Sequence, residues 1–187
     1  MLLYRLRLES FILTNNDPTK ITLQTNVKKE KDPTLVRMSG RTYHKDMEFD
    51  VPFMTEIIPS LWQGGCENGL ELPHFIQHVV SLYPWEQYTV KHNLRSMLSY
   101  RVYDSEAQDT TELDNVAEWV ATLMETGDNV LVHCQAGLNR SSYVVAKALL
   151  ISKVAENGEE AIKMLREGRS PACLCNPAFE QAILNVN

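Results

Sequence analysis

"NVLVHCQAGLNRSSYVVAKALL", residues 129–150, decides the fold. It opens as an apolar run rich in β-branched residues and passes through His133 and Cys134 into a short polar loop with one glycine. At Arg140 the pattern changes to one that predicts a buried helix over 140–155. A buried strand, a tight loop and a helix in that order suit a sheet whose strands are joined through helices.

Working outward, the same alternation recurs. "EIIPSLWQGG" (56–65) reads as a strand closed by two glycines, residues 70–77 as a short helix, and 78–83 as a buried strand. Residues 97–103 read as a further strand ending at Asp104, and the acidic loop "DSEAQDTT" follows. Val116, Trp119, Val120 and Leu123 then recur at helical spacing, with Gly127 just past the helix end. Asn157 and Glu160 stand at capping-box spacing before a helix over 157–168. Asn176 and Pro177 predict the N-cap and first residue of a last helix. The expectation is an α/β domain over 51–187, a central mostly parallel sheet flanked by helices. Residues 1–50 read as an extension of unknown role. Two alternating runs around the turn cluster 15–20 predict a β-hairpin, and the polar stretch 28–46 that follows shows no chemistry.

Composition narrows the function. The chain has 187 residues, 44% hydrophobic, and a net charge of −6, which suits one compact domain and no nucleic-acid or anionic-membrane surface. No stretch approaches the roughly 20 apolar residues of a membrane span. The arginines at 5 and 7 spoil the start as a secretory leader. Cysteines at 66, 134, 173 and 175 have neither zinc-site spacing nor the density of a disulfide framework. The expectation is a monomeric cytoplasmic protein with free thiols, no metal and no cofactor.

The loop itself carries the chemistry. Backbone N–H groups of residues 135–140, together with the unpaired first turn of the helix, can converge on one anion. Gly137 permits the bend, and Arg140 offers a planar fork for two phosphate oxygens. At the base of that positive potential, Cys134 would ionise well below the usual thiol value of about 8.5. Its thiolate would face the bound phosphorus. A cysteine that merely ends a buried strand would need no arginine six residues later.

His133-Cys134-(five residues)-Arg140-Ser141 resembles the signature of cysteine-dependent protein tyrosine phosphatases, in the form found in the dual-specificity branch. The resemblance covers roughly residues 55–187 and implies a protein-tyrosine-phosphatase-like fold. It implies Cys134 as nucleophile, Gln135, Ala136, Gly137, Leu138, Asn139 and Arg140 as the phosphate-binding loop, and Ser141 as the group that helps the thiolate leave. His133 would support the loop. The closing segment "REGRSPACLCNPAFEQAI" resembles the family's as well, and Asn176 within it would brace the loop or simply cap its helix. The family takes its general acid from a loop about thirty residues before the cysteine, which implies Asp104, with Asp109 as a cap or brace and Glu106 as a third choice. No long recognition segment deepens the pocket, so phosphoserine, phosphothreonine and phosphotyrosine would all enter, with "YPWEQY" (83–88) as one wall or as a plain surface loop. Asn139 resembles instead the RNA 5′-triphosphatases of the mRNA-capping branch, which keeps RNA 5′ ends as alternative substrates. Two further readings compete: a catalytically inactive phosphate-binding module, which would not need all three of Cys134, Arg140 and Asp104, and a rhodanese-like sulfurtransferase or arsenate reductase, which would not need Asp104. Cys66, after the first strand of the domain, is a candidate resolving thiol.

Overall fold

The computed structural model describes residues 32–186. The predicted hairpin over the first two alternating runs lies outside them. A different hairpin starts in the stretch read as polar and runs past it: β1 (Arg37–Arg41) pairs antiparallel with β2 (Glu48–Pro52). The sequence boundary at residue 50 therefore falls inside a strand. After it come β3 (Met54–Ile58), β4 (Leu61–Gly64), β5 (His78–Ser81), β6 (Ser96–Ser99), α1 (Thr111–Met124), β7 (Val130–His133), α2 (Arg140–Ile151), α3 (Gly158–Gly168) and α4 (Pro177–Leu184).

Strands β3 to β7 form one sheet in the order β3-β4-β7-β5-β6. β4, β7, β5 and β6 are parallel, and β3 runs antiparallel at one edge. The α/β class and the mostly parallel, helix-flanked sheet agree with the sequence. β7 is central, and all of its residues are buried, as expected of a strand covered on both faces. Its side chains alternate between two cores. Val130 and Val132 join the cluster that holds residues from all four helices, whereas Leu131 joins Phe53, Met54, Cys66, Leu70, Leu72, Ile76, Val79 and Tyr88. Helix α2 is buried along most of its length and packs against α1, α3 and α4.

Four local expectations change. The single strand over 56–65 is two strands, because Pro59 lacks an N–H and Ser60 turns the chain at φ +71. Residues 70–77 form no helix. Leu70 and Leu72 are both buried, a two-residue repeat, and their backbone bonds go to Thr89 instead (Leu72 N to Thr89 O, 3.0 Å; Thr89 N to Leu70 O, 2.8 Å). Third, β6 stops at Ser99, so Asp104 lies on an irregular stretch beyond the strand rather than at its end. α2 also ends at Ile151, earlier than residue 155.

Candidate active site

The loop between β7 and α2 is shaped by where its carbonyls go. Gln135 O accepts from Cys66 N (3.0 Å), Leu138 O from Leu174 N (2.7 Å), and Asn139 O from Tyr143 N (2.8 Å). Ala136 O accepts from Arg169 Nη2 at 3.2 Å, and Gly137 O from both Arg169 Nε and Gln63 Nε2 at 2.8 Å. Every carbonyl from 135 to 139 is thus spent on the scaffold, which leaves the N–H groups for the centre of the loop. Gly137 N donates to Cys134 Sγ at 3.3 Å. Gly137 sits at φ +69 against Gly64, where a Cβ would come within 2.5 Å of the Gly64 oxygen, so only glycine fits.

Arg169 and Gln63 are the residues that sequence reasoning missed. Arg169 is 8% exposed, and burial pulls its guanidinium below the ordinary value. It also donates to Thr55 Oγ1 at 2.8 Å and Pro52 O at 3.0 Å, tying the loop to β2 and β3. Gln63 Nε2 reaches Ser142 Oγ at 2.7 Å. Both stand in quoted stretches, but nothing in their neighbours' chemistry marks them.

Cys134 is 2% exposed. Burial pushes its thiol up, yet the charge of Arg140 and hydrogen bonds from Ser141 outweigh that and leave it below the ordinary value. Ser141 Oγ lies 3.4 Å from the sulfur. Arg140 is held by Nη1 to Val102 O (3.2 Å) and by the Tyr83 ring, 5.2 Å away, while its buried Nε has no protein partner among the described residues. His133 lies beneath the loop, edge-on to Tyr88 at 5.4 Å, with Nδ1 3.4 Å from Cys134 O. Burial lowers it to about 4, so it is a neutral prop.

Asp104 meets the loop through amides. Its Oδ2 accepts from Asn139 Nδ2 (3.0 Å) and its Oδ1 from Asn176 Nδ2 (2.8 Å). Asn139 Oδ1 in turn accepts from Asn176 N at 2.9 Å and from the Cys175 thiol at 3.3 Å. Asn176 also caps α4, accepting from Ala178 N at 3.0 Å, so its side chain joins Asp104 to the helix start while its backbone N–H meets Asn139. Asp109 instead accepts from the N–H and hydroxyl of Thr111 (2.9 and 2.8 Å), which hold its carboxyl below the usual range. Glu106 is two-thirds exposed. A shallow depression of about 440 Å³ runs past Tyr103, Asp104, Ser105, Ala107 and Gln108.

In the "YPWEQY" stretch, Tyr83 and Trp85 stack at 4.9 Å, and Arg101 lies over Trp85 and Tyr103 at 4.9 and 4.7 Å. Cys66 belongs to the second core, and burial followed by the nearby Glu86 pushes its thiol up to about 12. That is the opposite of a poised resolving thiol. Among the described residues no cluster of His, Cys, Asp or Glu could hold a metal ion, and no helix is long and apolar enough to cross a membrane.

A buried cysteine whose thiol is held below its ordinary value, a guanidinium and the Gly137 N–H lie around one point with the Asp104 carboxyl alongside, an arrangement suited to holding an oxyanion. Known proteins share the arrangement's surroundings. The model of the dual specificity phosphatase catalytic domain matches residues 70–187. The putative tyrosine phosphatase 123R of Invertebrate iridescent virus 6 is 29% identical over 119 residues, 62% of this chain and 80% of that protein. The dual specificity protein phosphatase OPG106 of Vaccinia virus (strain Western Reserve) is 24% identical over 144 residues, 70% of this chain and 80% of its own. Among solved structures, human DUSP28 superposes with a TM-score of 0.57 at 17% identity, over 71% of this chain and 93% of that one. The human tyrosine phosphatase-like serine/threonine/tyrosine-interacting protein gives 0.58 at 21%, over 70% and 92%. These last two likenesses concern the fold, whereas the domain match spans most of the chain and includes the whole of the Cys134 loop, so that the chain belongs to the dual-specificity phosphatase family of hydrolases.

Proposed function

We propose that the protein hydrolyses phosphomonoesters on protein tyrosine, serine and threonine side chains through a cysteinyl-phosphate intermediate, without a metal. The observation that carries this reading is the environment of Cys134: Arg140 and Ser141 beside it, Gly137 N 3.3 Å from the sulfur, and a thiol held below its ordinary value despite complete burial. The Cys134 thiolate attacks phosphorus. Arg140, through the fork that includes its unpartnered Nε–H, and the N–H groups of residues 135–140 hold the three equatorial oxygens. Asp104 gives its proton to the leaving oxygen as the P–O bond breaks. Water then attacks the phosphocysteine and yields its proton to Asp104. The sulfur departs as a thiolate with Ser141 Oγ as hydrogen-bond partner, and inorganic phosphate leaves. Four free thiols support a reducing, cytoplasmic setting.

The RNA 5′-triphosphatase alternative rested on Asn139. That side chain is engaged with Asp104, Asn176 and Cys175, which gives it a structural purpose unrelated to the substrate and supports the phosphomonoester reading. Rapid quenching with radiolabelled phosphotyrosine peptide should trap an acid-stable phosphoprotein that maps to Cys134. Burst kinetics with RNA 5′-triphosphate and none with phosphopeptide would replace this reading by the alternative.

A further inference from the structure

The family match starts at Leu70, and the hairpin of β1 and β2 precedes it. That hairpin nevertheless reaches the active site. His44, in the turn between the strands, has a side chain only 4% exposed although Tyr43, Lys45 and Asp46 around it are exposed. Its Nε2 lies 3.3 Å from Asp104 Oδ1 and 3.4 Å from Asp104 O, so one ring nitrogen faces both the carboxyl and the backbone of the same residue. Its Nδ1 lies 3.4 Å from Glu106 Oε1, two residues further along the loop.

The turn is built to hold this pose. Thr42 Oγ1 donates to His44 O at 2.5 Å and accepts from Met47 N at 3.0 Å. Tyr43 stands edge-on to the imidazole at 5.1 Å. Lys45 and Asp46 both adopt left-handed backbone (φ +59 and +47), a conformation that non-glycine residues keep only where the surroundings impose it. Lys45 Nζ then pairs with Glu180 Oε2 on α4 at 2.5 Å, which ties the turn to the helix that Asn176 caps. The acid loop itself has few anchors: Asp104 is held by two amides from the phosphate-loop side and by His44 from the other.

We propose that His44 is a positioning residue for Asp104, supplied by the N-terminal hairpin, and that the hairpin is therefore part of the active site rather than an appendage. This rests on Asp104 being the proton donor. His44 clamps the loop against the two asparagines and fixes the carboxyl beside the leaving oxygen. It touches no substrate atom. Removing it should leave the phosphate loop intact and damage only the step that needs a placed proton.

Leaving-group dependence tests this. His44→Leu keeps the volume without a donor, His44→Asn is too short to reach, and His44→Gln restores an N–H at similar reach. Each is compared on phenyl phosphate, which needs protonation, and on dinitrophenyl phosphate, which does not. With His44→Leu and His44→Asn, kcat on phenyl phosphate should fall roughly tenfold or more, a fraction of the effect of a whole general acid. Dinitrophenyl phosphate turnover and tungstate affinity should stay within about twofold. His44→Gln should recover most of the loss. Adding His44→Leu to Asp104→Asn should cost nothing further, because the residue acts through Asp104. If the leucine variant fails to fold, the asparagine variant carries the same expectations. Equal losses on both substrates, or losses that add to those of Asp104→Asn, overturn the proposal. Turnover surviving in Cys134→Ser would instead overturn the phosphatase reading beneath it.

Discussion

The phosphate loop and the acid loop lie against each other but are built by opposite means. Residues 134–140 are contiguous, buried except at Gln135 and Ala136, and flanked by a strand and a helix, and the carbonyls of 135–139 are bonded to the surrounding scaffold. Residues 100–110 have no regular structure and are largely exposed; Tyr100 N and buried Val102 anchor the start, and Asp104 owes its place to side chains at 44, 139 and 176. The phosphate loop is held through its own carbonyls, by main-chain donors and by the buried side chains of Arg169 and Gln63. Chemistry that must meet many different leaving groups is held by a few replaceable side chains. The same contrast separates a site that fails all at once from one that degrades by steps.

Cys134→Ser should have the largest effect. A neutral hydroxyl replaces the thiolate, so turnover should vanish while vanadate still binds, as measured by calorimetry. Measurable turnover would mean that the phosphate loop is only a cradle. Asp104→Asn comes next, at about 10²–10⁴-fold in kcat on phosphotyrosine peptide and much less on an aryl phosphate with an acidic leaving group. Asp109→Asn should spare kcat and change stability little, since the amide oxygen can still accept from Thr111 at the start of α1. Reversal of these two results would put the acid at the wrong end of the loop.

Stability measurements should fall on the phosphate-loop side. Arg169→Met leaves the carbonyls of Ala136 and Gly137 without their cationic donor, and about 3–4 kcal/mol should be lost in urea unfolding, along with oxyanion affinity. A loss under about 1 kcal/mol would show that the loop holds its own shape.

Acid should separate the regions as well. His133 is lowered to about 4 in the folded protein, with burial as the main cause. An unfolded chain takes up that proton near pH 6.5, and the folded chain refuses it until about pH 4. Stability therefore falls as pH drops through this window, by on the order of 2–3 kcal/mol. Unfolding at about pH 7.5 and about pH 4.5 should show a smaller difference in His133→Gln than in the wild type. Equal differences would place the titration elsewhere.

The smallest effect belongs to the bridge between the two regions. Asn139→Ser loses the amide that reaches Asp104, and kcat on phosphotyrosine peptide should drop about tenfold, the worth of one hydrogen bond that places the carboxyl. Improved RNA 5′-triphosphate turnover in that variant would return Asn139 to a role in substrate choice.

Legibility in the sequence follows the same division. The phosphate loop could be read because its parts are neighbours: an apolar β-branched run, a glycine, an arginine and a helical repeat within 22 residues, 129–150. Caps at Asn157 and Asn176 were legible for the same reason. Asp104 could be placed only by its distance from Cys134, and its strand turned out to stop at Ser99, since the residues after it leave the ladder to bond Arg140 through Val102 O. Arg169, Gln63 and His44 act across 32, 74 and 60 residues of chain, and no local pattern announces a partner so far away. The helix expected over 70–77 failed because Leu70 and Leu72 face the core at strand spacing, with Pro73 next to them.

The central position of β7 has a consequence for how the enzyme comes into being. β7 pairs with β4 and β5, whose residues precede its own by 69 and 52 positions (130 against 61 and 78). Closing loops of that length is slow compared with forming a helix or a hairpin. Cys134 hangs from the strand that must wait for both of its neighbours. A refolding chain should therefore stay chemically silent until the sheet is joined through its middle. Turnover should return only in the slowest phase of refolding, together with burial of Val130 and Val132, and never ahead of it.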